Sequence, residues 1–167
     1  VDGILALSGD AGEKNVFEIR TPELVHLITE LNNCKFKNKE IKSPTNLQIA
    51  VAANPNVDGQ IEYLKEKESA GAQFVQTQPV FDLATAERFI DSVKKAGIKI
   101  PILLGSMPLK SLKVAEYFNK KVHGIVIPHE TMTKLRSNEN CGADLAIELL
   151  QKLRPRLDGV HIMPLGI

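Results

Sequence analysis

The stretch GAQFVQTQPVFD, residues 71–82, carries the first evidence of architecture. Gly71 closes a helical pattern in which Ile61 and Leu64 share one side. The stripe Ala86, Phe89, Ile90 and Val93 begins a second helix, which Gly97 ends. Between them, Ala72–Gln78 reads as a strand with a helix on either side in sequence. The same cycle recurs outward in both directions. Ile4–Leu7, Leu47–Ala53, Ile100–Gly105 and Gly159–Pro164 are further strand-like runs, and Asn54-Pro55 stops the second of them. Thr21-Pro22 forms a helix start with Thr21 as N-cap, ahead of Leu24, Leu27, Ile28 and Leu31. Asp58 is the expected cap of the helix carrying Ile61. Leu112, Ala115 and Phe118 mark another helix, Thr131–Arg136 a minor one, and Ala146, Leu149, Leu150 and Leu153 the last long one. NNCKFKNKEIKSPTN, residues 32–46, reads as polar connection, and HGIVIP, residues 123–128, as a short apolar piece.

Apolar strands without strict alternation are the mark of a parallel sheet buried on both faces by helices. Two architectures fit about five such units: an open doubly wound sheet, or part of a (β/α)8 barrel. A complete barrel takes roughly 250 residues, so a chain of 167 would supply its later part. The chain opens VDGILALSGD, with almost no lead-in before an apolar strand. The expectation is one domain over residues 1–167; read as the later part of a barrel, its first strands would lie outside the chain, and periodicity does not separate this from the open sheet.

Composition narrows the functions. The formal net charge is +1, which gives no electrostatic footprint for nucleic acid or an anionic membrane. No apolar run reaches membrane-spanning length and no signal peptide is visible, so a cytoplasmic setting is expected. Cys34 and Cys141 stand apart, without metal-ligand spacing, and read as free thiols. YLKEKE, residues 63–68, reads as a solvated helix face.

Both architectures put ligands at the carboxyl ends of the strands. There the sequence offers Ser8-Gly9-Asp10, Asn54, Thr77-Gln78, Ser106-Met107 and Met163-Pro164, a polar rim with Asp10 and Asp82 as the nearest carboxylates. ILALSGDAGEKN, residues 4–15, is not a P-loop: Glu13 separates Gly12 from Lys14, and Asn15 stands where Ser or Thr is needed. A turn at Ser8–Asp10 and a ligand-facing strand end both remain open on these residues alone. So does Gln78, which could satisfy backbone groups or meet a heterocycle. The four histidines read as structural or exposed.

GAQFVQTQPVFD, with LKEKESAGA before it and PILLGSMPL after it, resembles the flavin-dependent methylenetetrahydrofolate reductase family, a (β/α)8 barrel. NVFEIRTPELVHLI, HGIVIP and LRPRLDGVHIMPLG resemble segments of the reductase half of bifunctional proteins that also carry a homocysteine S-methyltransferase. This resemblance implies an α/β fold forming the C-terminal portion, about five βα units, of a (β/α)8 TIM barrel. It implies reduction of 5,10-methylenetetrahydrofolate to 5-methyltetrahydrofolate by ping-pong hydride transfer, from NADH or NADPH through FAD or FMN. Asp10 then matches a catalytic aspartate beside flavin and folate. Gln78 and Phe81 match substrate-binding positions. Ser8, Gly9, Phe17, Ala52 and Lys67 match cofactor-binding positions, Lys67 as a phosphate partner, and no metal is implied. Implied partners are a folate substrate with an N-terminal half, a fused methyltransferase module or a second copy. Ser8, Asn54, Asp58, Gln60, Pro79 and Val80 depart from the family's usual residues, and Ser8, Asn54 and Gln60 favour the alternative of a non-catalytic binding or assembly module.

Overall fold

Each strand of the main sheet lies beside the strand that precedes it in the cycle, because every crossover includes a helix that packs back on the sheet. The computed structural model describes residues 2–9, 19–37 and 39–164. Its elements are β1 (Gly3–Ala6), α1 (Thr21–Asn32), β2 (Lys35–Phe36), β3 (Lys39–Glu40), β4 (Gln48–Ala53), α2 (Gln60–Ser69) and β5 (Phe74–Pro79). They continue as α3 (Leu83–Lys95), β6 (Ile102–Ser106), α4 (Leu112–Lys121), α5 (His129–Ser137), α6 (Gly142–Leu153) and β7 (Gly159–Ile162). The main sheet has five parallel strands in the order β1-β4-β5-β6-β7. It is consistent with part of a TIM-type barrel, and the barrel is not closed within the described residues. Among the described residues, β1 and β7 each have one strand partner.

The pleat sorts side chains between two faces. Ala6, Ile49, Val51, Ala53, Val75 and Ile102 point one way and pack with Val25 and Ile28 of α1, Leu64 of α2, and Phe89 and Val93 of α3. Leu104 joins Ala86 and Ile90 of α3 and Leu153 of α6 in a second cluster. Burying a leucine such as Leu64, with no exposed surface, contributes about 1.5–3 kcal/mol. The opposite face carries Gln48, Ala50, Ala52, Gln76, Leu103 and Gly105, and none of them belongs to a hydrophobic cluster. Helices therefore cover one face where the sequence suggested two, because the other corresponds to a barrel interior.

Local signals account for most boundaries. Asp82 Oδ1 accepts the Thr85 N–H at 2.8 Å and starts α3, so this carboxylate serves as a helix cap. Two starts differ from expectation. The N-cap of α1 is Arg20, which makes Thr21 the first helical residue, and α2 follows Gly59 at φ +74° without a bond from Asp58. Residues expected as plain connection form the β2–β3 hairpin. HGIVIP stays outside the sheet, with Ile125 and Ile127 buried against Leu109, Ala115 and Leu135.

Candidate functional site

At the carboxyl ends of β1, β4 and β5, a cavity of about 260 Å³ opens between strand termini and the helices behind them. Leu7, Ser8 and Gly9 follow β1; Ala52 and Ala53 end β4 and Asn54 follows it; Gln78 is the penultimate residue of β5. Thr21 enters from α1, and Gln60, Tyr63 and Lys67 from α2. Two hollows of about 320 and 330 Å³ lie by Pro155–Asp158 and along α6. The smaller one is the candidate site because polar groups from five elements converge on it.

Lys67 is its electrostatic centre. The residue is 5% exposed, and its ammonium donates to the Ala52 carbonyl at 2.7 Å while lying 4.2 Å from the Tyr63 ring centroid. Among the described residues no carboxylate makes an ion pair with it. Burial pushes the pKa down to about 8, and the charge of neighbouring Glu66 offsets part of that shift. A cation so placed favours an anion brought into the cavity. The solvated-face reading of YLKEKE fails at this residue. Its spacing held the signal: Lys67 follows Leu64 by three positions and Tyr63 by four, on the helix face that turns inward.

Around this cation the wall is hydrogen-bonded into place. The Tyr63 hydroxyl accepts the Thr21 N–H at 3.3 Å, and the Thr21 hydroxyl donates to Ser8 Oγ at 3.3 Å. Gln60 Oε1 accepts the Asn54 N–H at 3.1 Å, and Asn54 Nδ2 donates to the Gly124 carbonyl at 3.0 Å. Asn54 and Gln60 thus tie the β4 exit to the loop after α4, while both still face the cavity. Arg20 pairs with Glu66 at 2.9 Å on the outer rim, which raises the guanidinium's pKa further.

Of the residues expected from sequence, Ser8, Gly9, Ala52, Lys67 and Gln78 come together on this one cavity. Gln78 is exposed at its mouth, and its side chain has no hydrogen-bond partner among the described residues. Asp10 and Phe17 lie outside the described residues. Phe81 lines two other hollows, with Val80, Ser106 and Met107 in one and Pro128 and Lys134 in the other, and packs on the Leu109 cluster. Tyr63 and Thr21 were missed, the first because a tyrosine inside a charged run reads as surface. Among the described residues no group of three or more metal-ligating side chains assembles, and no helix is long and apolar enough to cross a membrane.

Comparison with known proteins gives consistent results. The family profile for methylenetetrahydrofolate reductase matches residues 1–166. Methylenetetrahydrofolate reductase 1 of Schizosaccharomyces pombe is 30% identical over 105 residues, covering 59% of this chain and 17% of that protein. Methylenetetrahydrofolate reductase 2 of Saccharomyces cerevisiae is 27% identical over 126 residues, covering 68% of this chain and 20% of that protein. The matched stretch is therefore a fifth or less of either reductase. A solved protein from Clostridium thermocellum that binds two copies of 5-methyl-5,6,7,8-tetrahydrofolic acid shares the fold. It matches with a TM-score of 0.59 at 20% identity, over 73% of this chain and 48% of that one.

Proposed function

The chain belongs to the methylenetetrahydrofolate reductase family, and on that premise we infer that it forms the later part of a reductase barrel. The polypeptide carrying it would reduce 5,10-methylenetetrahydrofolate to 5-methyltetrahydrofolate, with FAD or FMN as cofactor and NADH or NADPH as reductant. The observation that carries this reading is Lys67, a buried ammonium facing a polar cavity with a carbonyl and an aromatic ring as its partners. That donor set, with the Ser8 hydroxyl and the Asn54 and Gln60 amides beside it, fits the phosphate and polyol of a flavin nucleotide.

In this reading Lys67 holds a phosphate oxygen. Ser8, Gly9 and Ala52 present backbone and small side chains along the cofactor. Gln78 offers its amide, which donates and accepts at once, to the edge of the pterin. Asp10 and Phe17 are assigned by their match to the family pattern: Asp10 favours the cationic, iminium form of the folate one-carbon unit, and Phe17 lies against the cofactor. Phe81 keeps its substrate-side assignment through the same match. When bound, the flavin supplies the hydride chemistry between nicotinamide and folate. A fused homocysteine S-methyltransferase, or a second copy against the free edges of β1 and β7, belongs to the same reading.

The visible spectrum of the intact natural protein tests it. Flavin bands that bleach when 5-methyltetrahydrofolate is added without oxygen are the expected result, since they report hydride moving back from product to cofactor. A colourless protein that takes up neither FAD nor FMN would overturn the reading and leave a non-catalytic binding module.

A further inference from the structure

We propose that Thr77 is a positioning residue for Gln78, its hydroxyl bridging β5 and β6 so that the neighbouring amide is held towards the folate. The proposal rests on the reading of Gln78 as the pterin-contacting residue. β5 and β6 run in register at Val75–Ile102 and Gln76–Leu103, and regain register only at Pro79–Gly105. Three steps along β5 are thus matched by two along β6, and the extra residue is absorbed at Thr77–Gln78. Such a bulge breaks the ladder and re-aims a side chain.

The Thr77 hydroxyl repairs the break. It accepts the Gly105 N–H at 2.8 Å and donates to the Gln78 carbonyl at 2.9 Å. Thr77 is 2% exposed, so solvent is not at hand to replace either bond. Position 105 has no room to adjust: a Cβ there would collide with the Thr77 carbonyl and stand 2.8 Å from that of Gln78. Because the Gln78 side chain has no partner among the described residues, its backbone sets its direction. Thr77 holds that backbone.

Equilibrium dialysis of labelled 5-methyltetrahydrofolate against the intact natural protein tests this, using T77V, T77S, Q78A and the T77V/Q78A double variant. T77V is expected to weaken binding roughly tenfold, the scale of one misdirected hydrogen bond. T77S should bind as the parent does, and T77V should add nothing once Gln78 is gone. Losses that add in the double variant overturn the proposal and leave the Gln78 reading intact. T77S as weak as T77V also overturns it, since the methyl group would then be what matters. Normal binding by Q78A, or none by the parent, refutes the Gln78 reading and the proposal falls with it. Should T77V not fold, T77A and T77S give the same contrast, since both lack the methyl and differ in the hydroxyl.

Discussion

The two ends of the sheet differ in what their polar side chains face. Where strands begin, side chains close onto the backbone. Asn32 at the end of α1 donates to the Leu47 carbonyl at 2.8 Å and accepts the Leu47 N–H at 2.9 Å. Gln73 accepts the Ile49 N–H at 2.9 Å, Glu68 the Lys99 N–H at 2.7 Å, and Asp158 the Ile102 N–H at 2.9 Å. Each bond pins the first residues of a strand, or the run-up to one, to a neighbouring element. Where strands end, side chains also reach the backbone, as Thr77 does at Gly105 and Lys67 at Ala52, but Lys67 and Gln78 face a cavity as well. In a barrel, stability is expected from the first end and binding from the second.

That contrast predicts that a variant at the strand starts will lose stability and keep affinity per folded molecule, and that the reverse will hold at the strand ends. The largest effect falls on Asn32→Ala. It removes three bonds, including one from the Thr45 hydroxyl at 2.6 Å, and should lower unfolding free energy by about 2–4 kcal/mol in urea. An equal loss of ligand affinity by the folded fraction would break the contrast.

Lys67→Met tests the other end. The folded pKa of Lys67 is about 8, below its ordinary value of 10.5, so the unfolded chain binds more protons between these limits. Stability contributed by this residue therefore rises with pH across that window, and the methionine variant should lack the rise. The variant should also lose affinity for inorganic phosphate or flavin nucleotide while its urea midpoint at neutral pH holds or increases. A clear fall in that midpoint would mean that the ammonium is part of the framework.

The smallest effect is expected of Glu66→Gln. Its exposed pair with Arg20 is screened by salt, so the unfolding midpoint should change little. Because the Glu66 charge raises the Lys67 pKa, its removal should move the Lys67 titration downward, visible by NMR of the labelled side chain. An upward movement would show that the Glu66 charge does not raise the Lys67 pKa.

Much of the fold was legible because the apolar spacing of α3 and α6 and the runs at β4 and β5 report burial directly. The β2–β3 hairpin was not, since its residues, Phe36 included, are exposed and leave no pattern. The site was legible at the strand ends, where topology alone brings Ser8, Gly9, Asn54 and Gln78 together, while Ala52 was reached through family resemblance. Lys67 was reached through family resemblance, although its place on the inward stripe of α2 would have served. The bulge at Thr77 had no sequence signal, because it depends on how two strands fit and not on either one.

The strand order β1-β4-β5-β6-β7 is also the order in which the ribosome delivers the strands. At the pace of synthesis, about 5–20 residues per second, each unit has seconds to dock before the next emerges. The unpaired edge of the growing sheet is covered by the next strand to appear. On that growing side of the sheet, the exposure that invites misassembly thus travels with the nascent chain instead of accumulating along it.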